Sequence, residues 1–132
     1  MICLDSNYLI GGVTEGRPES SHLLAWFEAG EIFFTAAPAW YEFLCGPVNE
    51  AQIETMRAFL THGIIAFGET QAATAARIFN AVERPRRRRV DAMIAATAMV
   101  AGGKLATLNA SDFGPFVPHG LELAEPAVGP SG

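Results

Sequence analysis

Cysteine is scarce in this 132-residue chain: Cys3 and Cys45 stand alone in apolar segments. They are too few for a disulfide framework and lack the spacing of a zinc ligand set, so both are expected as reduced thiols in the core. No GxxxxGK[ST] or GxGxxG stretch is present, which disfavours a nucleoside-triphosphatase or a dinucleotide enzyme. His22, His62 and His119 lie far apart, without metal-ligand spacing, and a histidine general base is not expected. The first ten residues, MICLDSNYLI, have no basic flank and carry Asp5 inside the apolar run. They read as neither a signal peptide nor a membrane span, and a cytoplasmic protein without membrane attachment is expected. Basic residues are few and focused: five of the nine fall within RPRRRR, residues 84–89, in a chain of net charge −5. Aspartate occurs at only three positions, Asp5, Asp91 and Asp112, and that scarcity makes their placement informative.

What is present is an apolar half of the composition in a length suited to one domain and one core. ICL reads as a short buried strand ending at Asp5, and SNYLIGG as a short helix begun by Ser6 or Asn7. ESSHLLAWFEAG has Leu23, Leu24 and Phe27 at helical spacing, with Gly30 to stop it. EIFFTAA is a second strand, and Pro38 suits the first turn of the next helix, which carries Glu42 and ends near Gly46. NEAQIETMRAFLTHG aligns Ile53, Met56, Phe59 and Leu60, and IIAF follows as a third strand. ETQAATAARIFNAVE sets Ala72, Ala76, Phe79 and Val82 on one face. After the arginines, VDAMIAATAMVAGG is small or apolar on nearly every face, a helix that should lie close against a sheet, with Asp91 in its first turn and Gly102-Gly103 as its stop. KLATL and NASDF complete the pattern. Short strands alternating with helices indicate an α/β domain with a mostly parallel sheet. The last eight residues, EPAVGPSG, read as a tail.

Ligands of open α/β sheets bind beyond the carboxyl ends of the strands. Asp5 ends the first strand, Glu42 follows the second, and Asp112 follows KLATL; Asp91 can point to the same edge. WYEFLC raises the matter from another side, because a carboxylate set among Trp40, Tyr41, Phe43 and Leu44 needs compensation if it leaves water. Four converging carboxylates cannot all ionise without a cation. Mg2+ or Mn2+ is the economical choice, taking oxygen ligands and retaining waters, as one ion or as a pair clamping a phosphodiester. Asn109, and Ser6 or Asn7, are placed to hydrogen-bond a ligand carboxylate. Taken singly, each acid also reads as a turn or helix-cap residue; the ordered set is what carries weight.

LDSN, WYEFLCG, RRRRVDAMIAATA and ATLNASDF, in that order from residue 4 to residue 113, resemble the PIN domain, and most closely VapC toxins of bacterial type II toxin–antitoxin systems. The resemblance implies a three-layer α/β/α domain over residues 1–124 with about five parallel strands, residues 125–132 being the tail, and a Mg2+- or Mn2+-dependent endoribonuclease. It carries the catalytic and metal-ligating set onto Asp5, Glu42, Asp91 and Asp112, with Ser6 and Asn109 as supporting polar residues. At the last motif either Asp112 or Asn109 stands nearer the ion. A cognate VapB-type antitoxin and a toxin homodimer are further implications, with Trp26 and Trp40 able to serve an interface or the core.

Arg86, Arg87, Arg88 and Arg89 immediately precede Asp91. A cationic flank of this kind offsets the repulsion between an acidic pocket and RNA backbone; the plainer reading is a solvated charge run with one arginine paired to a nearby Glu. Trp40 and Tyr41 are expected in the core rather than stacked on bases. The alternative function is a non-catalytic PIN-like module that binds RNA or protein.

Overall fold

The computed structural model describes residues 1–83 and 86–126, the side chain of Arg86 excepted. Strand β1, Ile2–Leu4, is buried along its whole length, and the chain turns at Asp5 into helix α1, Ser6–Gly12. Helix α2, Pro18–Glu28, opens on its proline, whose missing N–H is no loss in a first turn. Strand β2, Phe33–Ala36, is fully buried and leads directly into helix α3, Ala37–Leu44, again with a proline in the first turn. Helix α4, Glu50–Phe59, starts with a capping box in which Asn49 and Gln52 exchange side-chain-to-backbone hydrogen bonds. Strand β3 is reduced to Ile64–Ile65, followed by helix α5, Glu69–Ala81. A 3-10 turn over Arg86–Arg88 runs into helix α6, Arg89–Ala101, then strand β4, Lys104–Ala106, and a short helix α7, Ala110–Phe113.

The four strands pair in parallel in the order β3-β2-β1-β4. Leu105 also bridges Leu123 in parallel, with the Ala124 N–H donating to the Leu105 carbonyl at 2.8 Å. The expected fifth strand is therefore a single bridge at the sheet's edge among the described residues. From β1 the chain builds outward through β2 to β3, and β4 lies on the other side of β1. The strand order reverses between β1 and β4, the place where an open parallel sheet leaves a crevice.

Helix α6 packs on β2 and β4 and against α3, α5 and α7. Its small residues allow that approach: Ala92, Ala95, Ala96 and Ala98 are all buried. Its stop needs both glycines for separate reasons. Gly102 sits in the left-handed region at φ 75°, where a Cβ is strained. At Gly103 a Cβ would lie 2.6 Å from the ring of Phe34, a side chain with no solvent exposure.

Several expectations are corrected by the packing. Cys3 is a buried thiol, but Cys45 is exposed, because it falls just past the end of α3. Trp26 and Trp40 are core residues, both less than 10 % exposed, and Tyr41 faces solvent instead of the core. Helix α5 buries Ala75 and Ile78; Ala72 and Ala76 line a groove against α6 rather than the core. Helix α1 is capped by Asp5, not by Ser6 or Asn7. Of the expected tail, residues 127–132 lie outside the described residues, as do Arg84 and Pro85.

Candidate functional site

The site is built outward from Asp5. Its position at the end of β1 puts it beside the crevice, and its N–H donates to the Ala106 carbonyl at the end of β4, 3.0 Å away. Its side chain is only 4 % exposed. Oδ1 accepts from the Ser6 N–H at 2.8 Å, capping α1, and Oδ2 accepts from the Thr107 hydroxyl at 2.8 Å. Thr107 is itself held, since its Oγ1 accepts from the Asn109 N–H at 3.0 Å. Among the described residues no Lys or Arg pairs with Asp5. Burial pushes its proton affinity above the ordinary aspartate range; the two hydrogen bonds oppose this, and the charge of Asp112 adds to it.

Glu42 comes from α3, on the exposed side of a helix whose Ala39, Trp40 and Phe43 are buried. The carboxylate in WYEFLC is thus not enclosed by its aromatic neighbours. Partial loss of hydration still raises its pKa, with the charges of Asp5 and Asp91 adding and the Ser6 hydroxyl opposing. Asp91 projects from the first turn of α6. Its pKa is raised by partial burial, then by Asp5 and Asp112, with Arg88 lowering it. Asp112, in α7, closes the set. Asp5 is therefore coupled by charge to Glu42, Asp91 and Asp112, and Asp91 to Glu42 and Asp112, although the four come from separate segments.

No three His, Cys, Asp or Glu among the described residues are gathered tightly enough to hold an ion as they stand. Like-charge repulsion opposes such gathering, and Asp112 is engaged elsewhere: Arg88 Nη1 lies 2.6 Å from its Oδ1. Nη1 makes no aligned hydrogen bond, so this is a charge contact rather than a directed one. The donor chemistry nevertheless fits a hard divalent ion. The set is all carboxylate oxygen, and three of its members hold their protons more tightly than usual, through burial first and neighbouring carboxylates second.

Ser6 and Asn109 fall beside Asp5 and Asp112, as expected, but Asn109 contributes backbone: its N–H to Thr107 and its carbonyl to the Asp112 N–H at 2.9 Å. Asn7 reaches the other way, accepting from the Leu108 N–H at 3.3 Å and tying α1 to the loop after β4. Thr107 was not anticipated; its place immediately after a strand that ends beside Asp5 was the available signal. Arg88 is half-buried against the acids, whereas Arg87 and Arg89 are exposed. The three histidines stay apart from the acids, His22 being hydrogen-bonded to the Tyr8 hydroxyl at 2.8 Å.

One further buried acid has no counterpart in the sequence reading. Glu19 is 1 % exposed, packed against Gly11, with Arg17 Nη2 3.0 Å from Oε1 and Oε2 left without a partner. A groove of about 610 Å³ runs between α2 and α4, lined by Leu23, Leu24, Phe27, Met56 and Phe59. No helix among the described residues is long and apolar enough to cross a membrane.

Comparison with known proteins adds three findings. The PIN domain family matches residues 2–113. No curated protein matches the chain. Among solved structures, the chain superposes on a toxin–antitoxin complex from Klebsiella pneumoniae with a TM-score of 0.72 at 23 % identity, covering 96 % of this chain and 98 % of that one. FitAcB from Neisseria gonorrhoeae gives 0.68 at 20 % identity, with the same two coverages of 96 % and 98 %. VapBC2 from Rickettsia felis, bound to a DNA fragment from its promoter, gives 0.72 at 16 % identity, covering 94 % and 98 %.

Proposed function

The chain belongs to the PIN domain family, and from that premise we propose that it is a metal-dependent endoribonuclease, the toxin of a VapBC-type toxin–antitoxin pair. The observation that carries the reading is Asp5: a nearly buried carboxylate at the crevice of a parallel sheet, raised in pKa, with three further acids within reach of its charge and no cation of its own among the described residues. A carboxylate kept under that penalty is explained by a ligand that relieves it.

Asp5, Glu42, Asp91 and Asp112 are the residues that would hold Mg2+ or Mn2+, which when bound supplies the Lewis acidity needed for water to displace a phosphodiester oxygen. The chain's own part is positional. The Ser6 N–H and the Thr107 hydroxyl fix both oxygens of Asp5, and Asn109 fixes Thr107. Glu42 is the most exposed acid of the four, and so the one most open to incoming water. Arg88 can leave Asp112 for a phosphate oxygen, and Arg87, exposed one residue before it, supplies cationic charge for the RNA, with Arg86 and Arg89 beside them in sequence.

The structural relatives include toxin–antitoxin complexes, and an antitoxin is part of this proposal. The groove between α2 and α4 suits the apolar face of an antitoxin helix, and the exposed stripe of α5 suits a second copy of the chain. The competing reading, a binding module that does not cut, draws on the absence of three gathered ligands among the described residues. The test is cleavage of total RNA by the purified chain with Mg2+, with Mn2+ and with EDTA, beside Asp5→Ala. Discrete fragments that need metal and vanish in the variant support the nuclease. RNA binding that ignores the chelator, with no product, supports the module.

A further inference from the structure

A cavity of about 430 Å³ opens directly beside the carboxylates and shares Asp112, Arg87 and Arg88 with the site described above. One side is apolar, formed by Val82 at the end of α5 and by Pro115 and Phe116 after α7. Phe116 is nearly buried and therefore fixed. The other side is charged: Glu83, Arg87 and the Arg88–Asp112 pair. The volume falls in the range of small-ligand clefts, about 300–1,000 Å³. Most important, Asp112 belongs both to this cavity and to the acidic cluster, where its charge acts on Asp5 and Asp91.

We propose that this cavity seats the nucleobase adjoining the scissile phosphate and makes cleavage selective for that base. The inference rests on the ribonuclease reading and deepens it. RNA read in single-stranded form offers a flat apolar face and a polar edge. Pro115 and Val82 meet the face, backed by the buried ring of Phe116, and the carboxylate of Glu83 accepts from a ring or exocyclic N–H. Arg87 donates to a base oxygen or ring nitrogen, or stacks on the ring. A nucleotide whose phosphate approaches the carboxylates, with Arg88 on a phosphate oxygen, has its base carried past Asp112 into this space. An apolar helix groove has no need of that mixture of charge and apolar surface; a base does.

The experiment titrates the isotope-labelled full chain with AMP, GMP, CMP and UMP, with and without Mg2+, and follows backbone amide shifts. One base should move the amides of Val82, Glu83 and Phe116 more than the other three do. Its affinity should fall about tenfold or more in Val82→Trp, whose indole occupies the space and excludes the base, a loss of about 1.4 kcal/mol per tenfold. Glu83→Gln, at an exposed position, should weaken it without disturbing the fold. Mapping the fragment ends from cut RNA should show one preferred nucleotide at the cut in the wild type and loss of that preference in both variants. No shift at these amides with any of the four nucleotides overturns the proposal, as does an unchanged cut preference in both variants. Failure of the wild type to cut any RNA refutes the nuclease reading instead, and the amide shifts still decide the cavity.

Discussion

Replacing Asp5 by Asn removes one charge while keeping the shape of the side chain. Asn caps a helix as well as Asp does, so its Oδ1 can still accept from the Ser6 N–H, and Nδ2 can donate to Thr107 Oγ1 in place of the present bond. What changes is desolvation and repulsion. An ionised carboxylate this deeply buried loses several kcal/mol of hydration, and two hydrogen bonds to a charged acceptor return about 1.5–3 kcal/mol each. The raised pKa shows that the balance is unfavourable to the charge. We therefore expect the metal-free variant to be more stable than the wild type at pH 7 by about 1–2 kcal/mol, a rise in Tm of about 3–6 °C for a domain of this size.

The pH dependence follows from the same sign. Because the folded pKa of Asp5 lies above its unfolded value, the native wild type binds more protons than the unfolded chain between those two values. Its stability falls as pH rises through that window. The advantage of Asp5→Asn should thus be full at neutral pH and absent below the unfolded aspartate pKa of about 3.9. Mg2+ in excess should reverse the ranking, since a ligand at one hundred times its Kd stabilises by about 2.7 kcal/mol and the variant loses a ligating oxygen. Thermal melts of both proteins in EDTA and in Mg2+ from pH 3 to pH 8 decide it. A lower Tm for the variant in EDTA at pH 7, or a gain that persists at pH 3, would refute the reasoning.

Arg88→Gln frees Asp112 and removes the cation that holds down the pKa of Asp91. Mn2+ should bind about three- to tenfold more tightly by calorimetry, the order of change for losing one neighbouring charge. RNA should bind more weakly, with the salt slope reduced by about one phosphate contact; unchanged values of both would remove Arg88 from the site. Arg17→Met leaves Glu19 buried without its cation. A loss of about 1–3 kcal/mol at pH 7 is expected, below the usual cost of breaking a buried pair because Arg17 is about half exposed. Burial raises the Glu19 pKa, but the hydrogen bond and charge of Arg17 bring it below the ordinary value. Wild-type stability from this group is thus present above the unfolded pKa and lost on acidification, and the difference from the variant should shrink toward low pH in urea melts. Gly103→Ala drives a methyl into the fixed ring of Phe34 and should cost about 1–3 kcal/mol, read as a lowered urea midpoint at constant m-value.

The parallel sheet and the order of the acids were legible because they depend on local signals: short apolar runs, glycine and proline at element ends, and an acid immediately after a strand. Burial was less legible because it depends on which side of a helix meets its neighbour. Trp40 and Tyr41 are adjacent and chemically alike, yet one is core and the other solvent-facing. Cys45 looked internal until the end of α3 left it exposed, and the alanine stripe of α5 proved to be a groove wall. Glu19 gave no signal at all, since a PES triplet at a helix start reads as an exposed first-turn acid. Its burial comes from Gly11, whose missing side chain opens the space that Glu19 fills. Thr107 was hidden for a similar reason: its importance arises only when β4 is laid beside β1, a pairing between residues about a hundred positions apart in sequence.

In a chain of net charge −5, one arginine of the tract, Arg88, has a partner beside the acids. An acidic cluster without a cation pays for its own assembly, and the fold answers at two levels. Hydrogen-bond donors from Ser6 and Thr107 fix Asp5 without neutralising it, leaving it available to an ion. Arg88 supplies charge at Asp112, and does so from the turn before α6, where a change of partner requires only side-chain motion. On the proposed function, the same guanidinium would stabilise the site before RNA arrives and contact phosphate afterwards. A lysine there would keep the charge that Asp112 meets but lose the planar fork that suits a phosphate. Arg88→Lys should then fall between wild type and Arg88→Gln in RNA affinity while leaving net charge unchanged. Equal RNA affinity in Lys and wild type would mean that Arg88 acts by charge alone.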